Sequence, residues 1–399
     1  MKQFLKIFLL SFIGLTILFI PMTWNLIPFH GQITSFVFGS LIKHIAFSIN
    51  TEIALFDFSS DSKGLYFLLS FLAILSMILT PFLLRFFSQN QLEKFRKYIV
   101  LITTYYLAFI LMKYGFDKVF KAQFHLPEPN ILYTPFGNLD KDILFWSTMG
   151  TSYSYNLFMG FMEIIPAIFI LFNRTRQIGL LVSLGVLINV FAINLSFDIS
   201  VKLFSGFLIL INLFLLIPTL KVVWNVLVLK KQSGLIESTG LLINSKSTKI
   251  ILKSILIFIL FLESLSPYLL KGNFNDDISK RPFLHGAYEV QEYDQNGAVL
   301  YGNNVPLKRI FIHRDGYLIF QNQQEEMTDY KLEINQIKNT FILTDYELNK
   351  TTISYSYSKR DRLLKLSSTK NGDTLMIKTK AINWQQLPAL QKQFHWTVD

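Results

Sequence analysis

The sequence contains no cysteine, which excludes disulfides, iron–sulfur clusters, covalently attached haem and thiol catalysis. Charge is scarce, with 16% of residues being Asp, Glu, Lys or Arg. None of the six histidines (His30, His44, His125, His285, His313, His395) lies in a predicted membrane span, so bis-histidine haem ligation within a bundle is not expected. His-Glu-x-x-His, Gly-x-Ser-x-Gly, P-loop and dinucleotide fingerprints are all missing, leaving soluble-enzyme chemistry without a seat. What fills the chain is apolar: 51% of 399 residues are hydrophobic, 39 are Phe, and the mean hydropathy is +0.38. A water-soluble core of this length could not hide so much apolar surface, and the composition is that of a membrane protein.

Seven apolar runs are long enough to span a bilayer, at about residues 2–20, 64–87, 98–120, 155–172, 178–197, 201–220 and 250–270. The first follows two lysines but lacks a small-x-small cleavage site, and reads as a retained helix. A further stretch at 33–49 is interrupted by Gly39, Lys43 and His44, which suits an interfacial helix better than a span. The segment 121–146, with Pro127, Pro129, Pro135 and many aromatics, is expected along the bilayer surface. There His125 reads as a solvated loop histidine, with a proton carrier or metal ligand as the sharper alternative.

Connectors on the N-terminal side of the seven spans hold 13 Lys/Arg, against six on the other side. The positive-inside rule then places the N-terminus in the cytoplasm and residues 271–399 outside a bacterial inner membrane. Residues 1–270 hold 21 basic and 12 acidic side chains, whereas 271–399 hold 17 and 15. A basic membrane portion points to the lipid bilayer as partner, not to nucleic acid. The final stretch alternates apolar and polar residues between turn signals such as Gln-Asn-Gly and Arg-Asp-Gly, predicting about eight antiparallel strands in a small barrel or sandwich, with a terminal helix near 385–392. The expected fold class is thus an α-helical polytopic membrane protein plus a C-terminal all-β extracytoplasmic domain. Its expected divisions are 1–97, 98–221, 222–275 and 276–399.

The few polar residues inside the spans are the candidates for function. Counting about 1.5 Å per residue from the N-terminal-side boundary puts Glu163, Asn189 and Asn212 at roughly 14 to 18 Å, near the middle of a roughly 30 Å core. Lys113, Asn194 and Glu263 fall roughly 20 to 25 Å up, with Lys118, Asp198 and Lys202 at the far boundary. This predicts a polar column rising from mid-membrane. A carboxylate at that depth must face the bundle interior, either as a site residue or as an ion-pair partner, for example to Lys113 or Lys118. The asparagines are ligand contacts or helix-packing bonds. Pro166, one turn after Glu163, is expected to kink its helix and open a pocket.

The motifs Tyr114-Gly115-Phe116-Asp117-Lys118 and Gly160-Phe161-Met162-Glu163, followed by a helix bearing Asn189 and Asn194, resemble the DoxX family of four-helix bacterial membrane proteins. That family's pattern is Gly-x-x-Lys and then Gly-x-x-Glu, so Lys118 and Glu163 stand at its Lys and Glu. The likeness covers about 120 residues; two helices before it, one after it and the β domain depart from the short form. It implies a link to membrane redox complexes, a thiosulfate:quinone oxidoreductase subunit being one member, and more distantly to vitamin K-dependent carboxylase-like enzymes.

Two readings follow. In the first, a quinone-type lipid occupies the column; Glu163 and Lys118 handle protons, Asn189, Asn194, Asn212, Lys113 and Asp198 contact the headgroup, and a redox protein is the partner. In the second, the bundle is a non-catalytic anchor and the β domain binds a partner or envelope component.

Overall fold

The computed structural model describes residues 1–22, 29–48, 58–231, 245–370, 372–391 and 395–397. They form two compact units, Met1–Gln123 with Tyr153–Asn275, and Phe124–Ser152 with Asp276–Asp399. The described residues include ten α-helices: α1 (Lys2–Phe19), α2 (His30–Ser48), α3 (Lys63–Phe86), α4 (Gln89–Val119), α5 (Pro129–Leu132), α6 (Lys141–Thr151), α7 (Tyr153–Leu171), α8 (Arg176–Ser196), α9 (Lys202–Leu227) and α10 (Lys246–Lys271).

Seven of these, α1, α3, α4, α7, α8, α9 and α10, are long and apolar enough to cross a membrane. Helix α2 takes the place of the expected interfacial helix, whose residue 49 lies outside the described residues. Residues 232–244, between α9 and α10, also lie outside the described residues.

Helix α4 is the hub of the first unit. Its residues Thr103 to Met112 are buried without interruption, the mark of a helix surrounded on all sides. It packs on α7 and α9, which both pack on α8, closing a ring of four; α1 and α10 lean on α4 from outside. The stretch between the spans read at 64–87 and 98–120 is largely helical: Ser88 and Gln91 form a capping box that starts α4 about three turns before Tyr98. Outward positions such as Ile78, Phe82, Phe158 and Ile188 are exposed and apolar, a surface suited to lipid.

The second unit is a barrel. Its strands are β1 (Gly286–Gln295), β2 (Ala298–Tyr301), β3 (Leu307–His313), β4 (Tyr317–Asn322), β5 (Met327–Asn335), β6 (Thr340–Thr344), β7 (Lys350–Ser358), β8 (Leu363–Lys370) and β9 (Asp373–Ile382). All neighbours are antiparallel, and β1 pairs with β9 to close the ring, while β2 extends the far half of β1 as a hairpin. The barrel alternative therefore holds over the sandwich. Alternation sends Tyr288, Ile310, Ile312, Leu318, Phe341 and Leu364 inward. Asn296-Gly297 turns β1 into β2 with both φ positive, as the Gln-Asn-Gly signal implied.

One expectation changes here. The terminal helix is replaced by 3-10 turns at Trp384–Gln386 and Pro388–Leu390; Pro388 has no N–H to continue a helix, and residues 392–394 lie outside the described set. Most of the segment expected along the bilayer surface is grouped with the barrel, in a unit made of Phe124–Ser152 and Asp276–Asp399. Tyr133 stacks on Phe311 at 5.9 Å, with the Arg309 guanidinium 4.5 Å from the tyrosine ring centre. Gln321 donates to the Tyr133 carbonyl at 3.2 Å. This covers an outward apolar patch of Ala287, Phe311 and Ile319.

Candidate functional site

The helical unit brings Lys118 and Glu163 together. Lys118 Nζ donates to both carboxylate oxygens, at 3.0 and 2.8 Å, and both side chains are buried, at 7% and 6% exposure. The glycines of the two motifs make this possible. A Cβ on Gly115 would lie 2.9 Å from the Gly160 carbonyl oxygen, and one on Gly160 would lie 2.7 Å from that of Gly115. The backbones of α4 and α7 thus touch where only glycine fits.

Lys118 is three residues past that crossing and Glu163 three past it in the opposite direction, so their Cα atoms differ by roughly 9 Å in height. Helical side chains lean toward the N-terminus of their own helix. Because α4 and α7 run antiparallel, that lean carries the two charges toward each other over the glycines. Depth counted from Cα positions placed Lys118 at the far boundary, well above Glu163; the glycine crossing and the side-chain lean bring the charges together.

The asparagines separate. Asn194 donates to Ser205 at 3.0 Å, and Asn212 to Ser183 at 2.7 Å. With a Thr219 to Gln177 bond, these form a ladder between α8 and α9. Asn189 is exposed on the outer side of α8, so the mid-membrane tier is not one cluster. Asp198 is exposed and pairs with Lys202 at 2.7 Å. Lys113 is half-buried one turn before Asp117, whose carboxylate accepts from Tyr268 of α10. Pro166, expected to open a pocket, packs against α8: a Cβ on Gly179 would lie 2.7 Å from its carbonyl oxygen.

The barrel unit holds a second buried carboxylate that sequence reading passed over in favour of its neighbour. His125 is exposed, whereas Glu128 is 5% exposed. Glu128 accepts from His285 Nε2 at 2.8 Å, from Arg314 Nε at 2.6 Å and from the Arg314 backbone N–H at 3.2 Å. Burial pushes its carboxyl up, but the hydrogen bonds from His285 and Arg314 and the guanidinium charge outweigh this and hold it at about 2. Arg314 also pairs with Asp276 at 2.8 Å, as does Arg281 at 3.1 Å. Its partners lie 157 and 186 residues away in sequence, so no local motif could have revealed it.

Beside this network lies a cavity of about 470 Å³, at the end of the barrel where β1 begins and β9 finishes. Its wall includes Asp277, Arg281, His285, Tyr288, Arg362 and Trp384. A second cavity, about 540 Å³ and almost wholly apolar, lies among α1, α3 and α4. Neither is lined by Lys118, Glu163 or the asparagines. Among the described residues no group of three or more His, Asp or Glu is placed to hold a metal ion.

These features define a class: a polytopic helical membrane protein carrying a closed antiparallel β-barrel. No family model matches the chain, and no solved structure matches it. Over 121 residues, 30% of this chain, it is 34% identical to the uncharacterized protein YwoB of Bacillus subtilis strain 168 and covers 77% of that protein. The chain belongs to the YwoB family.

Proposed function

We propose that this protein is a membrane-anchored binding protein, in which the helical unit fastens the chain in the bilayer and the barrel unit performs recognition. One observation carries this reading. The polar side chains that cross between helices, Lys118 with Glu163, Asn194 with Ser205 and Asn212 with Ser183, are bonded to each other, whereas the polar cavity belongs to the barrel.

The charge bias of the connectors supports an N-terminus in the cytoplasm and a barrel outside an inner membrane. The co-folding of 124–152 with 276–399 supports the span count. Both segments must lie on one side, which requires an even number of crossings between them, and α7, α8, α9 and α10 make four.

The test is a double-mutant cycle on the ion pair. Lys118→Met and Glu163→Leu alone are each expected to lower stability by about 3 to 5 kcal/mol, because each strands a buried charge. The double variant is expected to recover most of the loss, as measured by unfolding in detergent. A double variant no more stable than the singles would mean that the two groups serve something other than each other, and would sink the anchor reading.

A second reading is favoured by the concentration of ionisable groups in and around α4: Lys113, Asp117, Lys118 and Lys121, with Glu163 and Glu263. On that reading the unit is DoxX-like and redox-associated. A quinone-type lipid is then held near Glu163 and Lys118 and contacted by residues such as Lys113, with a redox protein supplying electrons.

A further inference from the structure

The barrel cavity presents a particular mixture of groups. Arg281, Arg362 and the Trp384 indole N–H can only donate; the Asp277 carboxylate accepts; the Asn383 and Gln385 amides do both. A site for a simple anion gathers donors and positive charge and keeps carboxylates away. A site for an apolar ligand would not line itself with charges. Interleaved donors and acceptors match hydroxyl groups, each of which gives and takes a hydrogen bond. Tyr357 and Trp384 add aromatic groups to the same wall, which suits the C–H faces of a ring.

The wall is also held in place. Asp276 fixes Arg281 at 3.1 Å, and Glu128 fixes His285 at 2.8 Å while itself anchored by Arg314. Gly286 sits at φ 149°, where side chains are strained, and a Cβ there would lie 3.6 Å from the Trp384 indole nitrogen. That indole N–H and the Arg362 guanidinium have no hydrogen-bond or ion-pair partner among the described residues. They are donors left for a ligand.

We infer that this cavity is a carbohydrate site, sized for about one or two sugar rings, and the inference rests on the barrel being the recognising part. The sugar can arrive free, as a glycolipid headgroup, or as the end of an envelope polysaccharide.

The experiment uses the full chain in a detergent without a sugar headgroup. N-acetylglucosamine, its β-1,4-linked disaccharide, glucose and maltose are titrated by calorimetry, co-sedimentation with peptidoglycan sacculi is run in parallel, and inorganic phosphate and citrate serve as anion probes. Saturable binding of at least one free sugar is expected, weakened about tenfold or more in Trp384→Ala and in the exposed-site variant Arg362→Met. Co-sedimentation with sacculi without free-sugar binding, lost in the same variants, supports the site with the polymer as source. Binding of phosphate or citrate alone, or of none of these probes, overturns it. Failure here leaves the anchor reading standing, since that is read from variants in the helical unit; conversely, a failed cycle at Lys118 and Glu163 would not alter the sugar titration.

Discussion

The helical unit and the barrel unit each bury a carboxylate, and they do so by opposite means. Glu163 meets one cation, Lys118, through a pair of touching glycines on neighbouring helices 45 residues apart. Glu128 meets His285 and Arg314 across 157 and 186 residues, in a network that continues through Asp276 to Arg281. The first is a buried pair between two helices of the bundle. The second borders an open polar cavity through His285 and Arg281. A buried charge therefore says little about function by itself; what its partners face decides more.

The comparison breaks most severely at the glycines. Gly160→Leu would drive a side chain into the Gly115 carbonyl and Val119, and is expected to cost more than about 4 kcal/mol. Little monodisperse protein should then be recovered by size-exclusion chromatography, and a well-folded variant would deny the close approach of α4 and α7.

In the barrel, Glu128→Ala strands Arg314 and His285 and is expected to cost about 3 to 5 kcal/mol. Limited proteolysis should then release barrel fragments while the helical unit stays intact.

The two carboxylates can also be compared by pH. Because Glu128 is held at about 2 against an ordinary 4.5, the folded barrel favours its charged form. That stabilisation is fully present above about pH 5 and is lost as pH falls from 4.5 toward 2, amounting to about 3 kcal/mol. Thermal unfolding followed through this window should show the decline, and Glu128→Gln should flatten it.

The smallest effects lie on α8. Asn212→Ala removes a bond to Ser183 and should cost about 1 kcal/mol, whereas Asn189→Leu on the outer side should stay within about 0.5 kcal/mol. Equal effects from the two would mean that the burial of α8 is misassigned.

The readable parts of this molecule were those written in short spacings. Seven apolar runs gave seven long helices, and alternating runs with Asn-Gly and Asp-Gly turns gave the barrel strands. The two Gly-x-x motifs pointed to Lys118 and Glu163, which the structure brings into one buried ion pair. Lys118 was one of the two partners expected for Glu163, although heights counted at Cα set them apart; the charges sit at the ends of leaning side chains. Asn189 was grouped with Glu163 by height alone. It lies five residues from Asn194, about 140° around the helix, while Ser183, Leu187 and Asn194 share the buried side. Glu128 was out of reach, since its environment is assembled by barrel closure.

On the proposed reading, the charges within the bundle are ties and not a lipid-binding redox site. The most direct test is mass spectrometry of lipids extracted from purified protein, comparing wild type, Glu163→Gln and Lys118→Met/Glu163→Leu at equal folded yield. The same lipid profile is expected from all three, with no quinone specifically retained. A quinone that co-purifies with wild type and disappears from both folded variants would contradict it, and would establish Glu163 and Lys118 as a redox-lipid site.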